Sequence, residues 1–346
     1  MIKSRGYAAQ DVNKKLAPWD FERRSLGEKD VQIQIWYCGV CHSDLHQVRN
    51  DWAPGVFPMV PGHEIVGKVV GVGDEVSRFK AGDLAGVGTI VDACGHCEDC
   101  ENGHEQTCHE GAVQTYNSKG RDGLVTYGGY SDTIVVKEEF VLHISEKLNL
   151  AGAAPLLCAG VTTWSPLRKW HVGKGHKLAV VGLGGLGHMA VKFGVALGAE
   201  VTVLSTSPNK EVAAKELGAH HFIVSKDKEQ MQSVFRSFDF ILDTVANDHD
   251  INPYIPALRT NGVYINVGLP VTPWQISSFA LAWGDKAITG SGVGGLKETQ
   301  DMLDFCAENN ITADIELIAI QDINKAFERM EKGDVRYRFV IDIATL

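Results

Sequence analysis

The sequence predicts an α/β chain in two parts, one β-rich and one built on a doubly wound parallel sheet. Three observations predict it. The chain has 346 residues, more than a single hydrophobic core usually serves, so about two domains of ordinary size are expected. Up to residue 147 the apolar residues come in short runs, as in Val31-Gln32-Ile33-Gln34-Ile35, with turn signals such as Gly82-Asp83 and Gly128-Gly129 between them. From Leu148 onward, short apolar runs alternate with stretches of helical periodicity, the pattern of parallel strands joined by crossover helices.

In the first part, Val31 to Ile35 and the Val-rich run Ile65 to Val72 are read as strands, and the Gly/Asp/Asn-rich segment carrying the clustered cysteines as loop. A helix over Ala151 to Trp164 opens the second part. Strands follow at Leu178 to Val181, Val201 to Leu204, Phe222 to Val224, Phe238 to Asp243, Val263 to Val267 and Ala287 to Thr289, with a helix over His188 to Leu197 after the first of them. Beyond Gly290 come helices around Thr299 to Glu308 and Ile323 to Lys332. The run Arg338 to Ile343 is then a strand able to rejoin the first part. The expected domains are 1–147 with 291–346, and 148–290 inserted between them. No internal repeat or low-complexity tract interrupts this order.

The balance of 33 Lys+Arg against 43 Asp+Glu gives a formal charge of −10, which repels a phosphate backbone and excludes nucleic acid as a general partner. Any phosphate group must then be held locally by backbone N–H groups. The opening Met1-Ile2-Lys3-Ser4-Arg5 leads into no apolar signal core. The uncharged stretches Leu148 to Leu167 and Thr260 to Gly284 contain prolines and polar residues, which argues against a membrane span. A cytoplasmic protein is expected. In that compartment eight cysteines point to metal or catalysis before disulfides.

Directly after the run Leu178 to Val181 stands Gly182-Leu183-Gly184-Gly185-Leu186-Gly187, a G-x-G-x-x-G between a strand and a helix. Gly182 permits the tight turn, Gly184 lets a pyrophosphate approach the backbone, and Gly187 allows close packing of helix on strand. With the flanking elements correct, this is a dinucleotide site. The next strand ends without the acidic residue that would take the ribose hydroxyls of NAD. It runs into Ser205-Thr206-Ser207-Pro208-Asn209-Lys210, hydroxyl donors and an ammonium suited to the 2′-phosphate of NADP.

Cys94-x2-Cys97-x2-Cys100-x7-Cys108 places four thiolates in one segment, which suits tetrahedral Zn²⁺ at bonds of about 2.3 Å. Four ligands leave no open position, so the site is structural and its binding energy is folding energy. The spacing of the fourth cysteine disfavours an iron–sulfur cluster. His96, His104 and His109 are then solvated loop residues. A looser cluster, Cys41-His42-Ser43-Asp44-Leu45-His46 and Gly62-His63-Glu64, holds the thiolate, imidazole and carboxylate types that bind catalytic zinc. Spacing alone does not choose among Cys38, Cys158 and Cys306 as a further ligand.

Together the Cys41 to His46 cluster, Gly62-His63-Glu64, the four-cysteine segment and the Gly182 motif resemble the zinc-containing medium-chain alcohol dehydrogenases. Within them the chain is similar to the cinnamyl alcohol dehydrogenase branch and its bacterial broad-specificity aldehyde reductases. The resemblance implies a GroES-like catalytic domain interrupted by a Rossmann domain. It implies Cys41, His63 and Cys158 as ligands of a catalytic zinc with Glu64 beside them, and a second, structural zinc at Cys94, Cys97, Cys100 and Cys108. It also implies that Ser43 contacts the substrate oxygen and His46 ends a proton relay. His42, Thr162, Gly185, Leu186 and Ser291 join Gly182, Gly184, Gly187, Ser205, Thr206, Ser207 and Lys210 around NADP(H). The expected activity is the reversible, zinc-dependent reduction of small-molecule aldehydes, medium-sized and aromatic or aliphatic, to alcohols by a homodimer. An NAD-dependent polyol or short-chain alcohol dehydrogenase is the alternative. Trp52, Trp283 and Leu296 are candidates for an apolar substrate pocket, and Gln114 stands where the plant cinnamyl enzymes carry a tryptophan.

Overall fold

The alternation at Val31 to Ile35 is the middle of a longer strand, Asp30–Gly39, around which the first part of the chain is organised. Its inward residues Val31, Ile33 and Ile35 are buried, as the two-residue period of a strand with one covered face requires. Along one edge it pairs antiparallel with Ile65–Val72, and along the other with Thr133–Lys137 and then Arg338–Asp342. Ile315–Ala319, Leu84–Val87 and Leu142–His143 complete a seven-stranded sheet. The C-terminal strand therefore does rejoin the first part, in register Val340 to Gly39 and Ile341 to Cys38. Two small antiparallel pairs, Ile2–Ala8 with Ala17–Arg23 and Ile90–Asp92 with Val113–Gln114, flank it.

The second part is a six-stranded, all-parallel sheet in the order His221–Val224, Glu200–Ser205, Lys177–Val181, Phe238–Asp243, Leu258–Asn266, Ala287–Gly290. Numbered along the chain this is 3-2-1-4-5-6, the doubly wound arrangement in which the strand order reverses between the first and fourth strands. Its central strands are covered on both faces: every residue of Phe238–Asp243 is buried, Asp239 and Asp243 included, as expected where helices cover both sides.

The computed structural model describes residues 1–346 and divides into two units, Met1–Cys158 with Gly294–Leu346, and Ala159–Val293. The chain passes from the first to the second after Cys158, later than the change of texture at Leu148 suggests. The single helix expected over Ala151 to Trp164 is also broken. It is a short helix Leu150–Ala153, a 3₁₀ turn Ala154–Leu157, and a separate helix Ala159–Lys169. Pro155 stands at the start of the 3₁₀ turn, where its missing N–H costs nothing, and Cys158 is non-helical at φ −132°, ψ −71°. Helical periodicity runs through the break without revealing it. The cysteine segment, expected as loop, contains a helical turn Glu98–Glu101 and a 3₁₀ turn Glu105–Thr107. No single helix is long and apolar enough to cross a membrane.

Candidate metal centres and dinucleotide site

Cys41 is the N-cap of the helix His42–Arg49, and Asp44 at the third helical position closes back on the Cys41 backbone N–H at 2.9 Å. This capping arrangement fixes the thiol at the helix entrance. Asp44 is fully buried and also accepts from the Gly62 N–H at 3.1 Å, from the Tyr130 hydroxyl at 3.0 Å and from His63 Nδ1 at 3.1 Å. One carboxylate thus ties the Cys41 helix to the Gly62-His63-Glu64 turn. A His whose Nδ1 is held by a carboxylate presents Nε2 to a metal with raised basicity. Burial alone would lower the His63 pKa, and Asp44 outweighs it and holds the imidazole well above its ordinary range.

Ligand atoms of Cys41, His63, Glu64 and Cys158 all lie within 4.8 Å of one another, and all four residues are buried. The sulfurs of Cys41 and Cys158 are 4.0 Å apart. The Cys41 thiol is the first to ionise: Cys158 donates to it, and Arg338 and His63 favour its thiolate against the penalty of burial. The break at residue 158 is what turns the second sulfur into this cluster. Cys38 and Cys306, the other candidates, are fully buried elsewhere, and Cys306 contacts Met302 Sδ at 3.6 Å.

Glu64 is 0% exposed and forms an ion pair with Arg338 of the C-terminal strand, itself 5% exposed. Burial drives the Glu64 pKa up to about 8, with Arg338 working in the opposite direction. Its second oxygen, Oε2, has no partner. A Cβ on Gly39 would lie 1.9 Å from that oxygen, so Gly39 is required here for space. Glu64 is therefore a carboxylate with one oxygen anchored and one free beside the two thiols and the imidazole. Sequence reasoning missed Asp44 and Arg338. Asp44 carried a local signal, an acid three residues after a candidate ligand at a helix start; Arg338 carried none.

Ser43 Oγ lies 3.5 Å from Cys41 Sγ. His46, three residues further on the same helix and therefore on the same face, is held at Nδ1 by Asp51 Oδ2 at 2.8 Å and stacks on Trp52 at 4.9 Å. His42, at the start of that helix, is exposed.

The sulfurs of Cys94, Cys97, Cys100 and Cys108 likewise fall within 4.8 Å of one another. Backbone N–H groups point at them: that of Cys94 at Cys108 Sγ (3.4 Å), that of Cys97 at Cys94 Sγ (3.3 Å) and that of His109 at Cys97 Sγ (3.5 Å). Amides of Cys100 and His109 bring the Cys97 pKa down to about 6. From Asp92 to Glu110 the chain holds six acidic residues and neither Lys nor Arg. The nearest strong cation is Arg121, which donates to Cys108 Sγ at 3.9 Å and to the Gly111 carbonyl at 3.3 Å. His96 and His109 are exposed and paired with Glu110 and Asp99. Four converging sulfurs with amide donors fit a closed tetrahedral metal site.

In the second unit Gly182 has φ +87°, a conformation open to glycine at no cost. A Cβ on Gly187 would lie 2.3 Å from the Gly182 carbonyl oxygen, whereas one on Gly184 would meet nothing within 4 Å. The turn is thus tight where glycine is needed for packing and open where a pyrophosphate approaches. Gly185 and Leu186 lead into the helix Gly187–Ala196, whose N-terminus no side chain caps, an arrangement suited to an anion. At the end of the next strand Ser205 is buried and accepts the Ser207 N–H at 3.2 Å, Thr206 is exposed, and Lys210 Nζ donates to the Leu183 carbonyl at 3.0 Å. Thr162 lies buried in the helix Ala159–Lys169, and Ser291 follows the outer strand Ala287–Gly290. Trp283 is 65% exposed and stacks on Phe279, while Leu296 begins a helix and packs against the core of the first unit.

A sheet that reverses at the Gly182 turn, joined in sequence to a buried Cys, His, Glu and Cys cluster, defines a metal-dependent nicotinamide enzyme. Residues 27–146 match the alcohol dehydrogenase GroES-like domain and residues 185–308 the zinc-binding dehydrogenase family. The chain belongs to the zinc-binding alcohol dehydrogenases and interconverts alcohols and carbonyl compounds. It is 52% identical to the aldehyde reductase YahK of Escherichia coli, covering 100% of this chain and 99% of that one. It is 53% identical to a probable mannitol dehydrogenase of Fragaria ananassa, over 99% of this chain and 95% of the relative. Among solved structures, a cinnamyl alcohol dehydrogenase of Sorghum bicolor superposes with a TM-score of 0.96 at 47% identity, covering 99% and 98% of the two chains. The CAD of Helicobacter pylori complexed with NADP(H) superposes at 0.93 and 40% identity, covering 99% of each.

Proposed function

We propose that this enzyme reduces medium-sized aromatic and aliphatic aldehydes to primary alcohols with NADPH, in the cytoplasm, as a homodimer. The observation that carries the reading is the convergence of Cys41, His63, Glu64 and Cys158 in one buried cluster. The thiolates of Cys41 and Cys158 and the imidazole of His63 would hold a zinc ion and balance its charge, with Glu64 Oε2 as the nearby carboxylate able to serve as a further ligand. When bound, zinc supplies a Lewis acid for the carbonyl and NADPH supplies the hydride. The chain's own part is to hold and to move protons. Asp44 fixes the His63 tautomer, and Arg338 anchors one oxygen of Glu64, leaving Oε2 beside the thiols. Ser43 Oγ gives a proton to the product oxygen, and His46, steadied at Nδ1 by Asp51, resupplies it from solvent through its imidazole.

The preference for NADPH rests on Ser205 to Lys210. Replacing Ser205 by Asp, whose carboxylate would accept the same Ser207 amide, is expected to weaken NADPH by about tenfold or more through repulsion of the 2′-phosphate and to favour NADH. Cofactor titrations that leave the NADPH affinity unchanged would refute the assignment. The homodimer reading rests on Ala287–Gly290, the outermost strand of its sheet, and on Leu269, Val271, Phe279 and Trp283, all exposed nearby in sequence.

The test of the whole reading is NADPH consumption with a panel of aldehydes, before and after chelation. Turnover lost on chelation and restored by zinc is the expected result, and turnover indifferent to chelation overturns the mechanism. The Fragaria relative's name supports one alternative, oxidation of a polyol. It is tested in the same assay by supplying mannitol with NAD or NADP.

A further inference from the structure

Asp243 ends the strand Phe238–Asp243, the fourth along the chain, and pairs in register with Val181, the residue before the Gly182 turn. It therefore stands where the strand order reverses, beside the crevice in which a doubly wound sheet binds its ligand. It is also 0% exposed, and a carboxylate there is tolerated only if it is fully partnered. Its Oδ1 accepts the Val245 N–H at 3.0 Å, and its Oδ2 receives the Tyr264 hydroxyl at 2.7 Å and His249 Nε2 at 2.9 Å.

The other ring nitrogen of His249, Nδ1, faces the Asn247 carbonyl at 2.8 Å. Both nitrogens thus face acceptors, and only the doubly protonated imidazolium can donate to both. The Asp243 carboxylate raises the His249 pKa in keeping with this. Asp250 and Asp248 add negative charge from the same segment, and Tyr254 and Trp274 pack their rings 6.4 and 6.3 Å from the imidazole. Tyr264, from the neighbouring strand, faces it across Asp243.

The segment held in this way is the wall of the glycine turn. Thr244 donates through its N–H at 3.1 Å and its hydroxyl at 2.8 Å to the Val181 carbonyl. A Cβ on Gly182 would lie 2.8 Å from Val245 Cγ2 and 3.1 Å from Thr244 Oγ1, and one on Gly187 would lie 3.2 Å from the same hydroxyl. Thr244 and Val245 are therefore packed against both ends of the G-x-G-x-x-G turn, and residues 243–249 form a closed loop pinned at Asp243 by His249.

We propose that His249 is a positioning residue for the dinucleotide: bonded to Asp243 and to the Asn247 carbonyl, it clamps residues 244–249 against the Gly182 to Gly187 turn and so keeps the turn in the shape that receives the cofactor. The proposal rests on the reading of that turn as the dinucleotide site. It concerns affinity for the cofactor and leaves the hydride and proton steps to the other groups.

The test is the Kd for NADPH, read by its fluorescence on the full-length zinc-loaded enzyme, together with kcat at saturating NADPH, for His249→Ala and His249→Gln. His249→Ala loses both bonds and is expected to raise Kd about tenfold with kcat within about twofold. His249→Gln keeps a donor toward Asp243 but loses the charge and the Asn247 bond, and is expected to raise Kd about threefold. If the alanine variant does not fold, the glutamine variant decides. Wild-type affinity in a folded variant, or a loss confined to kcat, overturns the proposal. A wild type that binds neither NADPH nor NADH would instead overturn the dinucleotide reading itself, so the two failures are distinguishable.

Discussion

Replacing Cys158 by alanine is expected to lower aldehyde turnover by about a thousandfold or more, with bound zinc falling to that held by the four-cysteine segment. A metal acting as Lewis acid is worth several kcal/mol of transition-state stabilisation, and each 1.36 kcal/mol is about tenfold in rate. Cys158 supplies a buried sulfur 4.0 Å from that of Cys41. Without it only one thiol remains in the cluster, with an imidazole and a carboxylate whose first oxygen is engaged by Arg338. Should Glu64 Oε2 rotate in and retain the metal, it would occupy a coordination position and turnover would still fall. Metal analysis and steady-state kinetics on the same preparation check both halves. Cys306→Ala is the control, because that thiol is buried away from the cluster. Wild-type turnover in Cys158→Ala would remove Cys158 from the metal site.

At a pH above the Glu64 pKa of about 8, replacing Arg338 by methionine is expected to cost about 3–5 kcal/mol of stability in the first unit, because it leaves an ionised Glu64 buried without its counter-ion. The side chains are 5% and 0% exposed, so water cannot substitute for either. The double variant Arg338→Met with Glu64→Gln should recover most of the loss, since removing both charges of a buried pair costs far less than removing one. Thermal unfolding midpoints of wild type, both single variants and the double variant give the coupling directly. If the single and double variants unfolded at the same temperature, the lost stability would come from packing of the arginine stem rather than from the stranded carboxylate.

What the sequence revealed of these sites follows the distance over which each is assembled. Cys94, Cys97, Cys100 and Cys108 are legible because a closed metal site built in one segment leaves its spacing in the chain. The glycine turn is legible for the same reason: a strand, three spaced glycines and a helix are contiguous. Cys41 and His63 showed only the right chemistry, and family resemblance, not spacing, singled out Cys158. Its place depends on a break between Leu157 and Ala159 that helical periodicity does not encode. Arg338 was invisible, since it is 274 residues from its partner and a strand of apolar residues gives no reason to look for a charge at its start. His249 was equally silent, because its meaning depends on the register that sets Asp243 beside Val181.

The late position of Arg338 also bears on how the enzyme is made. Residues 159–293 are an uninterrupted stretch, and domains fold as units while synthesis proceeds at about 5–20 residues per second. The strand that delivers Arg338 leaves the ribosome after that whole unit, so Glu64, 274 residues earlier, waits roughly a quarter of a minute to a minute for its counter-ion. During that interval the nascent chain carries a finished nucleotide-binding unit and an unfinished metal pocket. The ion pair that fixes Glu64 in that pocket therefore closes only after residues 159–293 have been made.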